Sequence, residues 1–123
     1  MKFLLDTNFL LIPGTFKVDI FAGLENFGKP DLYTVEPVIK EIEKLSLGKG
    51  SDSRAAKLAL SLIEAKGVSV IKTSETRADR ALESLATSEG YIVCTQDKAL
   101  KAALKKKGLK TVTLRQKKTL IEE

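Results

Sequence analysis

Short apolar segments alternate with longer amphipathic segments along the whole chain. The short segments are aliphatic or β-branched, as buried parallel strands are, and they lie at 2–5, 32–35, 68–71, 91–95 and 111–114. Between them, apolar residues recur every three or four positions, which predicts helices over 16–27, 37–45, 55–65, 78–86 and 100–104. Strands that alternate with helices form right-handed β-α-β units. The pattern therefore predicts an α/β protein, a three-layer α/β/α sandwich with a short-stranded parallel sheet of about five strands.

The length of 123 residues fits a single domain with its own core. We predict that residues 1–114 form this domain and that 115–123 form a basic C-terminal tail or a short helix. Residues 47–53, rich in Gly and Ser, are predicted to form a flexible loop. No apolar run reaches the length of a membrane span, and the chain enters a strand pattern almost at once, unlike a secretory signal. We therefore expect a cytoplasmic protein.

The composition removes several kinds of catalytic site. The chain has no histidine and one cysteine. This excludes histidine acid–base chemistry, Ser-His and Cys-His pairs, and zinc sites built from His or several Cys. Cys94 lies in an apolar segment, where we expect it to act as a small buried hydrophobic residue. Carboxylates, lysines and hydroxyls remain as the candidate functional groups.

The net charge of +5 is concentrated at the C-terminal end of the sequence. Residues 95–123 hold nine Lys or Arg against three acids, a net of +6, so the preceding 94 residues sum to −1. Such an end suits a polyanionic partner, because Lys and Arg release counterions from phosphates. A solvated helix face followed by a polar tail explains the same residues equally well.

Four acids occur in semi-buried contexts that suit a shared site. Asp6 ends the first predicted strand and Asp97 follows the fourth. If the chain winds outward from the first strand and returns for the fourth, these ends are neighbours, where open parallel sheets bind ligands. Glu41 and Asp79 border the apolar stripes of two predicted helices. If the four converge, Mg²⁺ or Mn²⁺ is the natural partner, since carboxylate clusters prefer hard cations.

Each of these acids also has a purely local explanation. Asp6 suits a cap of the turn after the first strand, and Asp97 suits the N-cap of the helix that starts at Lys98. Thr76 and Asp79 have the spacing of a capping box. Glu41 alone is an ordinary surface glutamate. These local explanations do not explain why four such acids occur together in one chain.

Four segments resemble the motifs of the PIN-domain ribonucleases, in the family's order and over nearly the whole chain. They are Leu5-Asp6-Thr7-Asn8, residues 38–45 with Glu41, Ala78-Asp79 followed by Leu82 and Leu85, and residues 91–100 with Thr95 and Asp97. The second and fourth look most like the archaeal and eukaryotic rRNA-processing branch, with the toxin branch as the nearer competitor. The chain departs from the pattern at Gln96, where asparagine is usual, and at Arg80, where that branch often has a second acid.

The resemblance implies a Mg²⁺- or Mn²⁺-dependent endoribonuclease that cleaves single-stranded RNA, with rRNA processing as one role, and leaves 5′-phosphate and 3′-hydroxyl ends. It implies that the catalytic and metal-binding residues are Asp6, Glu41, Asp79 and Asp97. Asn8 and Thr95 would orient these ligands or the attacking water. The expected contacts to the RNA backbone are Lys49, Arg54, Arg80, Lys98 and Lys101.

Other readings remain open at this point. The chain could be a toxin-type PIN ribonuclease, or a catalytically weak PIN module that binds RNA within a larger assembly. A receiver-like signalling domain is disfavoured, because residues 68–73, which comprise the third strand and the two residues after it, contain no acid. Gly48-Lys49-Gly50 follows a helix, not a strand, so it is not a phosphate loop. Beyond RNA, the candidate partners are a second copy of the chain or a ribosome-assembly protein, with no membrane.

Overall fold

The computed structural model describes all 123 residues. Its six strands are β1 Lys2–Leu5, β2 Asp31–Val35, β3 Ser69–Ile71, β4 Ile92–Cys94, β5 Thr111–Arg115 and β6 Thr119–Glu122. Its seven helices are α1 Thr7–Leu10, α2 Ile12–Phe16, α3 Ile20–Glu25, α4 Glu36–Ser46, α5 Ser51–Ala65, α6 Ala78–Glu89 and α7 Lys98–Lys106. The predicted α/β fold with a short-stranded sheet is confirmed, with one strand more than expected.

The strands form one sheet in the order β3-β2-β1-β4-β5-β6. The first five are parallel, and β6 runs antiparallel to β5. Leu4 of β1 pairs with Tyr33 of β2 on one side and with Val93 of β4 on the other. The chain therefore winds outward through β2 and β3 and returns beside β1. This confirms the predicted reversal of strand order between β1 and β4.

The middle of the sheet is covered on both faces. Phe3 and Leu4 are neighbours on β1 and so point to opposite faces, yet both are fully buried. Among the helices, α2 packs on α5 and α6 packs on α7. Cys94 is also fully buried, and burial raises the pKa of its thiol well above the usual range. The cysteine thus belongs to the core, as expected.

The helix predicted over 16–27 is shorter in the structure, where α3 covers Ile20–Glu25. Helix α2 ends at Phe16, and Lys17 after it adopts a left-handed conformation with φ of 58°. Helix α3 begins again at Ile20, because the Asp19 carboxylate caps it by accepting hydrogen bonds from the backbone N–H of Phe21 and Ala22. The loop predicted over 47–53 is shorter than expected, since α5 already begins at Ser51.

Residues 115–123, expected as a tail or short helix, instead complete the sheet. Thr113 pairs with Ile121 and Leu114 with Leu120 across the β5–β6 hairpin. Leu120 also packs on α3, where a Cβ added to Gly23 would lie 2.7 Å from the Leu120 Cδ1 atom. The segment is too short for its periodicity to indicate a strand in the sequence, and only its contacts with β5 and α3 show that a strand forms.

None of the seven helices has both the length and the apolar character that a membrane-spanning helix requires.

Candidate active site

The four predicted acids line one open cavity of about 1000 Å³. Asp6 comes from the end of β1, and Asp97 from the link between β4 and α7. Glu41 is contributed by α4, and Asp79 by the first turn of α6. Because β1 and β4 are parallel neighbours, their carboxyl ends open together at one edge of the sheet. The cavity lies at this reversal of strand order.

Asp6 is held on all sides and is only 7% exposed. Its backbone N–H donates to the Cys94 carbonyl at 3.0 Å, which continues the pairing of β1 with β4. One carboxylate oxygen accepts the backbone N–H of Thr7 at 2.7 Å, so Asp6 does cap α1. The other accepts the Thr95 hydroxyl at 2.6 Å. The cap therefore accounts for one oxygen, and a contact across the sheet accounts for the other.

The pKa of Asp6 is raised, chiefly by burial. The hydrogen bonds from Thr95 and from the Thr7 backbone oppose this effect, because they favour the charged carboxylate. The negative charges of Glu41 and Asp97 raise the pKa further. A buried carboxylate beside two others is costly to ionise unless a cation shares the site.

A chain of hydrogen bonds joins Asp6 to Asp97. The fully buried Thr95 donates its hydroxyl to Asp6 and accepts the backbone N–H of Asp97 at 3.0 Å. Asn8 accepts the backbone N–H of Gln96 at 3.0 Å, which fixes the same link from the other side. Asp97 in turn accepts the Leu100 N–H at 3.1 Å and caps α7. The two strand-end acids are thus positioned as a unit.

Glu41 and Asp79 are held differently, by single side-chain contacts. The Thr7 hydroxyl donates to the Glu41 carboxylate. Asp79, whose side chain is 47% exposed, forms an ion pair with Arg77 at 3.2 Å between Oδ2 and Nη2. The capping box with Thr76 does not form, since Arg77 occupies the N-cap position of α6 without a side-chain cap. No three carboxylates converge closely enough to make a complete metal site in this arrangement.

The donor set of the cavity nevertheless fits a hard divalent cation. Five carboxylates line it, the fifth being Asp52 at the start of α5, against the three cations Lys44, Lys49 and Arg77. The wall therefore carries a formal excess of two negative charges. Its oxygen donors are those that Mg²⁺ and Mn²⁺ prefer. A divalent ion would also relieve the cost of ionising the buried Asp6.

Of the five cations predicted to contact RNA, only Lys49 lines the cavity. Arg54 is exposed on α5, and Arg80 lies in a separate depression. Lys98 and Lys101 border a third, where Lys101 pairs with Glu123 at 3.3 Å.

Two basic side chains of the cavity were missed. Lys44 lines the wall, three residues after Glu41 on the same helix. Arg77 precedes the acid with which it pairs by two residues. Both lie close in sequence to predicted acids, and this closeness was a usable signal.

Gln96 has a structural role that the sequence did not reveal. Its side-chain oxygen accepts the Thr113 hydroxyl at 2.7 Å and the Leu114 N–H at 2.6 Å. Its side-chain nitrogen donates to the Leu114 carbonyl at 3.0 Å. The link that carries Asp97 is therefore fastened to the end of β5.

Comparisons with known proteins identify the family to which the chain is similar. The family model described as "PIN like domain" matches residues 3–117. The chain is similar to Ribonuclease VapC9 of Archaeoglobus fulgidus, with 33% identity over 119 residues that cover 96% of this chain and 86% of the relative. It is also similar to Ribonuclease VapC4 of Methanocaldococcus jannaschii, with 31% identity covering 95% of this chain and 92% of the relative.

Two solved structures share the fold. The PIN domain endonuclease Utp24 superposes with a TM-score of 0.82 at 24% identity and covers 99% of this chain and 90% of its own. A domain of a functionally unknown protein from Methanocaldococcus jannaschii gives a TM-score of 0.62 at 15% identity, covering 93% and 91%. At these identities the likeness concerns the fold alone.

Proposed function

Because the chain belongs to the PIN-domain family, we propose that it is a metal-dependent endoribonuclease acting on single-stranded RNA. The observation that carries this proposal is the joined pair of strand-end carboxylates, Asp6 and Asp97, in a cavity that Glu41 and Asp79 also line. The two relatives named ribonucleases support the activity. The absence of histidine is compatible with it, because a metal site needs no protein base to activate water.

We assign the four acids as the ligands of Mg²⁺ or Mn²⁺. Asp6 and Asp97 supply rigidly placed oxygens, while Glu41 and Asp79 complete the set from their helices. The ion, when bound, supplies an activated water and neutralises charge on the reacting phosphate.

The other residues of the site have supporting roles. Thr95 orients the Asp6 carboxylate directly, and Asn8 fixes the backbone of the Asp97 link. Lys44 and Lys49 lie where they can hold the RNA backbone, as does Arg77 once it is released from Asp79. Water would attack the phosphorus and the bond between phosphorus and the 3′ oxygen would break. This leaves a 5′-phosphate on one product and a 3′-hydroxyl on the other.

The biological substrate is a separate part of the proposal. We retain rRNA processing as the proposed role and a toxin-type ribonuclease as the second candidate. The relatives above 30% identity are named only as ribonucleases, and the Utp24 likeness is one of fold. The comparisons thus support ribonuclease activity, and they point to no particular RNA. A partner protein of ribosome assembly, or a second copy of the chain, belongs to the same proposal.

The activity can be tested by incubating labelled single-stranded RNA with the protein in Mn²⁺, in Mg²⁺ and in EDTA. We expect internal cleavage only with metal, 5′-phosphate ends on the products, and a loss on the order of 100-fold or more in Asp6→Asn. Asp31→Asn is the matched control, since it removes an exposed carboxylate at the opposite edge of the sheet. Undiminished metal-dependent cleavage by Asp6→Asn would refute the assignment, and binding without cleavage in every RNA would support a catalytically weak module.

A further inference from the structure

We propose that the β5–β6 hairpin loop and the end of α2 form a second contact surface for single-stranded RNA beside the cavity. This surface, called the hairpin patch below, consists of Phe16, Lys17, Arg115, Lys117 and Lys118. The proposal deepens the nuclease assignment and rests on it for the identity of the ligand. It assigns an RNA path that the cavity residues alone do not define.

The position of the hairpin patch follows from the sheet. β5 is parallel to β4, and β4 to β1, so Arg115 at the end of β5 lies at the same edge as Asp6. β5 is the second strand from β1, a separation of about 10 Å. Gln96 bonds to both backbone groups of Leu114, which fastens the hairpin to the link that carries Asp97.

The hairpin patch carries four cations and no acid. Residues 7–18 and 111–121 contain four cations, Lys17, Arg115, Lys117 and Lys118, and no acid. All four are exposed, and none takes part in an ion pair. Other lysines of the C-terminal region are neutralised, namely Lys101 by Glu123, Lys107 by Glu83 and Lys110 by Glu122. Free positive charge therefore remains at the edge that holds the cavity.

The backbone of the hairpin loop holds a lysine in an unfavourable conformation. Gln116 and Lys117 both have a φ of 55°, a left-handed conformation that suits glycine or asparagine better. The Lys117 ammonium lies 5.5 Å from the centre of the Phe16 ring, which is 37% exposed. A glycine at position 117 would fit the loop with less strain, yet the residue there is a lysine whose ammonium lies against Phe16 of α2. This suggests that the lysine side chain has a function.

Single-stranded RNA is the occupant that this chemistry favours. The cavity has more carboxylates than cations, so it repels an RNA backbone except where a metal sits. Cations next to the cavity would supply the missing attraction to the neighbouring phosphates. A protein partner fits less well, because interfaces need an apolar centre and the patch offers only one aromatic ring, which Lys117 already contacts.

Binding can be measured without cleavage, by fluorescence anisotropy of a labelled single-stranded oligoribonucleotide in EDTA, between about 50 and 200 mM salt. The test variant combines Arg115→Gln, Lys117→Gln and Lys118→Gln. We expect its affinity to fall on the order of ten-fold, and the slope of log K against log salt to decrease by about 2, since each phosphate contact contributes about 0.7 for single strands.

The matched control combines Lys29→Gln, Lys105→Gln and Lys106→Gln. These exposed lysines form none of the ion pairs and lie towards the opposite edge of the sheet, before β2 and at the end of α7. The control removes the same net charge, so it should change affinity and salt slope much less. Equal losses in both variants would mean that net charge, and not the hairpin patch, governs binding, and would overturn the proposal.

Lys117→Gly separates binding from folding. Glycine relieves the left-handed backbone, so the thermal midpoint should stay equal or rise while RNA affinity falls. Unchanged affinity in this variant and in the hairpin triple, or no RNA binding by the unaltered protein, would also overturn the proposal. These outcomes are distinct from those of the nuclease test. RNA binding that depends on the hairpin patch, without cleavage, would contradict only the nuclease assignment. Metal-dependent cleavage with binding that does not depend on the hairpin patch would contradict only the proposed role of the patch.

Discussion

The two acids at strand ends and the two acids on helices line the same cavity but are fixed by different means. Asp6 and Asp97 are tied to backbone N–H groups and to each other through the buried Thr95. On their helices, Glu41 is exposed and Asp79 half-buried, and each has one side-chain partner, Thr7 and Arg77 respectively. The ends of the strands thus position two of the acids, and single side-chain contacts hold the other two.

This difference explains how four carboxylates can coexist before a metal binds. Four rigidly converged charges would repel one another strongly, and some would have to take up protons. Here only one acid is deeply buried, while the helix acids rest on a hydroxyl and a guanidinium. On the proposed function, Asp6 and Asp97 would be the preformed part of the metal site, and Glu41 and Asp79 would complete it.

The largest effect should follow from Asp97→Asn. Asparagine caps helices as well as aspartate does, so the α7 cap at Leu100 should survive. If Asp97 is also a metal ligand, cleavage should fall on the order of 100- to 1000-fold with little change in thermal midpoint. The measurement is single-turnover cleavage in Mn²⁺ together with thermal unfolding.

The control for this prediction is Asp97→Ala, which removes both functions. It should lose about 1 kcal/mol of stability through the missing cap in addition to its activity. Wild-type cleavage rates in the Asn variant would show that Asp97 is only a cap, and the strand-end pair would then reduce to Asp6.

The connection within the pair is tested by Thr95→Val. Valine keeps the shape of the side chain but leaves an Asp6 oxygen and the Asp97 N–H without their partner. In this buried position the expected loss is about 1–3 kcal/mol of unfolding free energy in metal-free buffer, measured by chemical denaturation. Thr95→Ser retains the hydroxyl and should lose clearly less. Equal losses in the two variants would attribute the effect to packing of the methyl group and not to the hydrogen bonds.

The same contrast separates what the sequence revealed from what it did not. Asp6 and Asp97 follow apolar strands, and a parallel sheet brings such ends together whatever the details of packing. Their neighbourhood could therefore be inferred from the periodicity, on the one condition that the fourth strand returns beside the first, which the strand order meets. For Glu41 and Asp79, the helical periodicity predicted a position beside a buried apolar stripe. Their side-chain partners, however, depend on tertiary contacts such as that of Thr7 with Glu41.

The errors in the fold have a similar origin. A helix was predicted through 17–19 because apolar residues continue on both sides, and the cap formed by Asp19 was overlooked. Residues 119–122 form a strand mainly because β5 offers a free edge and Gly23 leaves room for Leu120. Neither partner is local in sequence. In the same way, Gln96 was read only as a small departure from a motif, although its contacts lie on β5.

Asp6→Asn should reveal the cost of the buried charge through its pH dependence. The pKa of Asp6 is raised in the folded state, above all by burial, so the folded protein binds this proton more tightly than the unfolded chain. Stability from this group is therefore present at low pH and is lost as pH rises through the folded pKa. Without metal, the stability of Asp6→Asn relative to the unaltered protein should increase from acidic towards neutral pH.

Thermal unfolding in EDTA across a pH series measures this difference. Asp31→Asn, at an exposed position, reports the effect of removing a surface carboxylate. Added Mn²⁺ should reverse the trend by stabilising the unaltered protein more than Asp6→Asn. A stability difference that does not vary with pH would show that burial of the Asp6 charge costs the fold nothing.

The smallest effect concerns Arg77, which holds one acid of the helix pair. Its ion pair with Asp79 is largely exposed, with side-chain exposures of 59% and 47%. A surface pair of this kind contributes about 0.2–1 kcal/mol. Arg77→Ala should therefore free Asp79 for metal and raise the affinity for Mn²⁺ by no more than about five-fold. Titration of the protein with Mn²⁺ by calorimetry measures this change in affinity directly.

The control is Arg80→Ala, three residues further on and outside the cavity. It should change Mn²⁺ affinity less, because Arg80 has no ion pair with a cavity acid. If Arg77→Ala instead weakens Mn²⁺ binding, the arginine does not compete with the ion but orients Asp79 towards it, and the helix pair is as preformed as the strand-end pair.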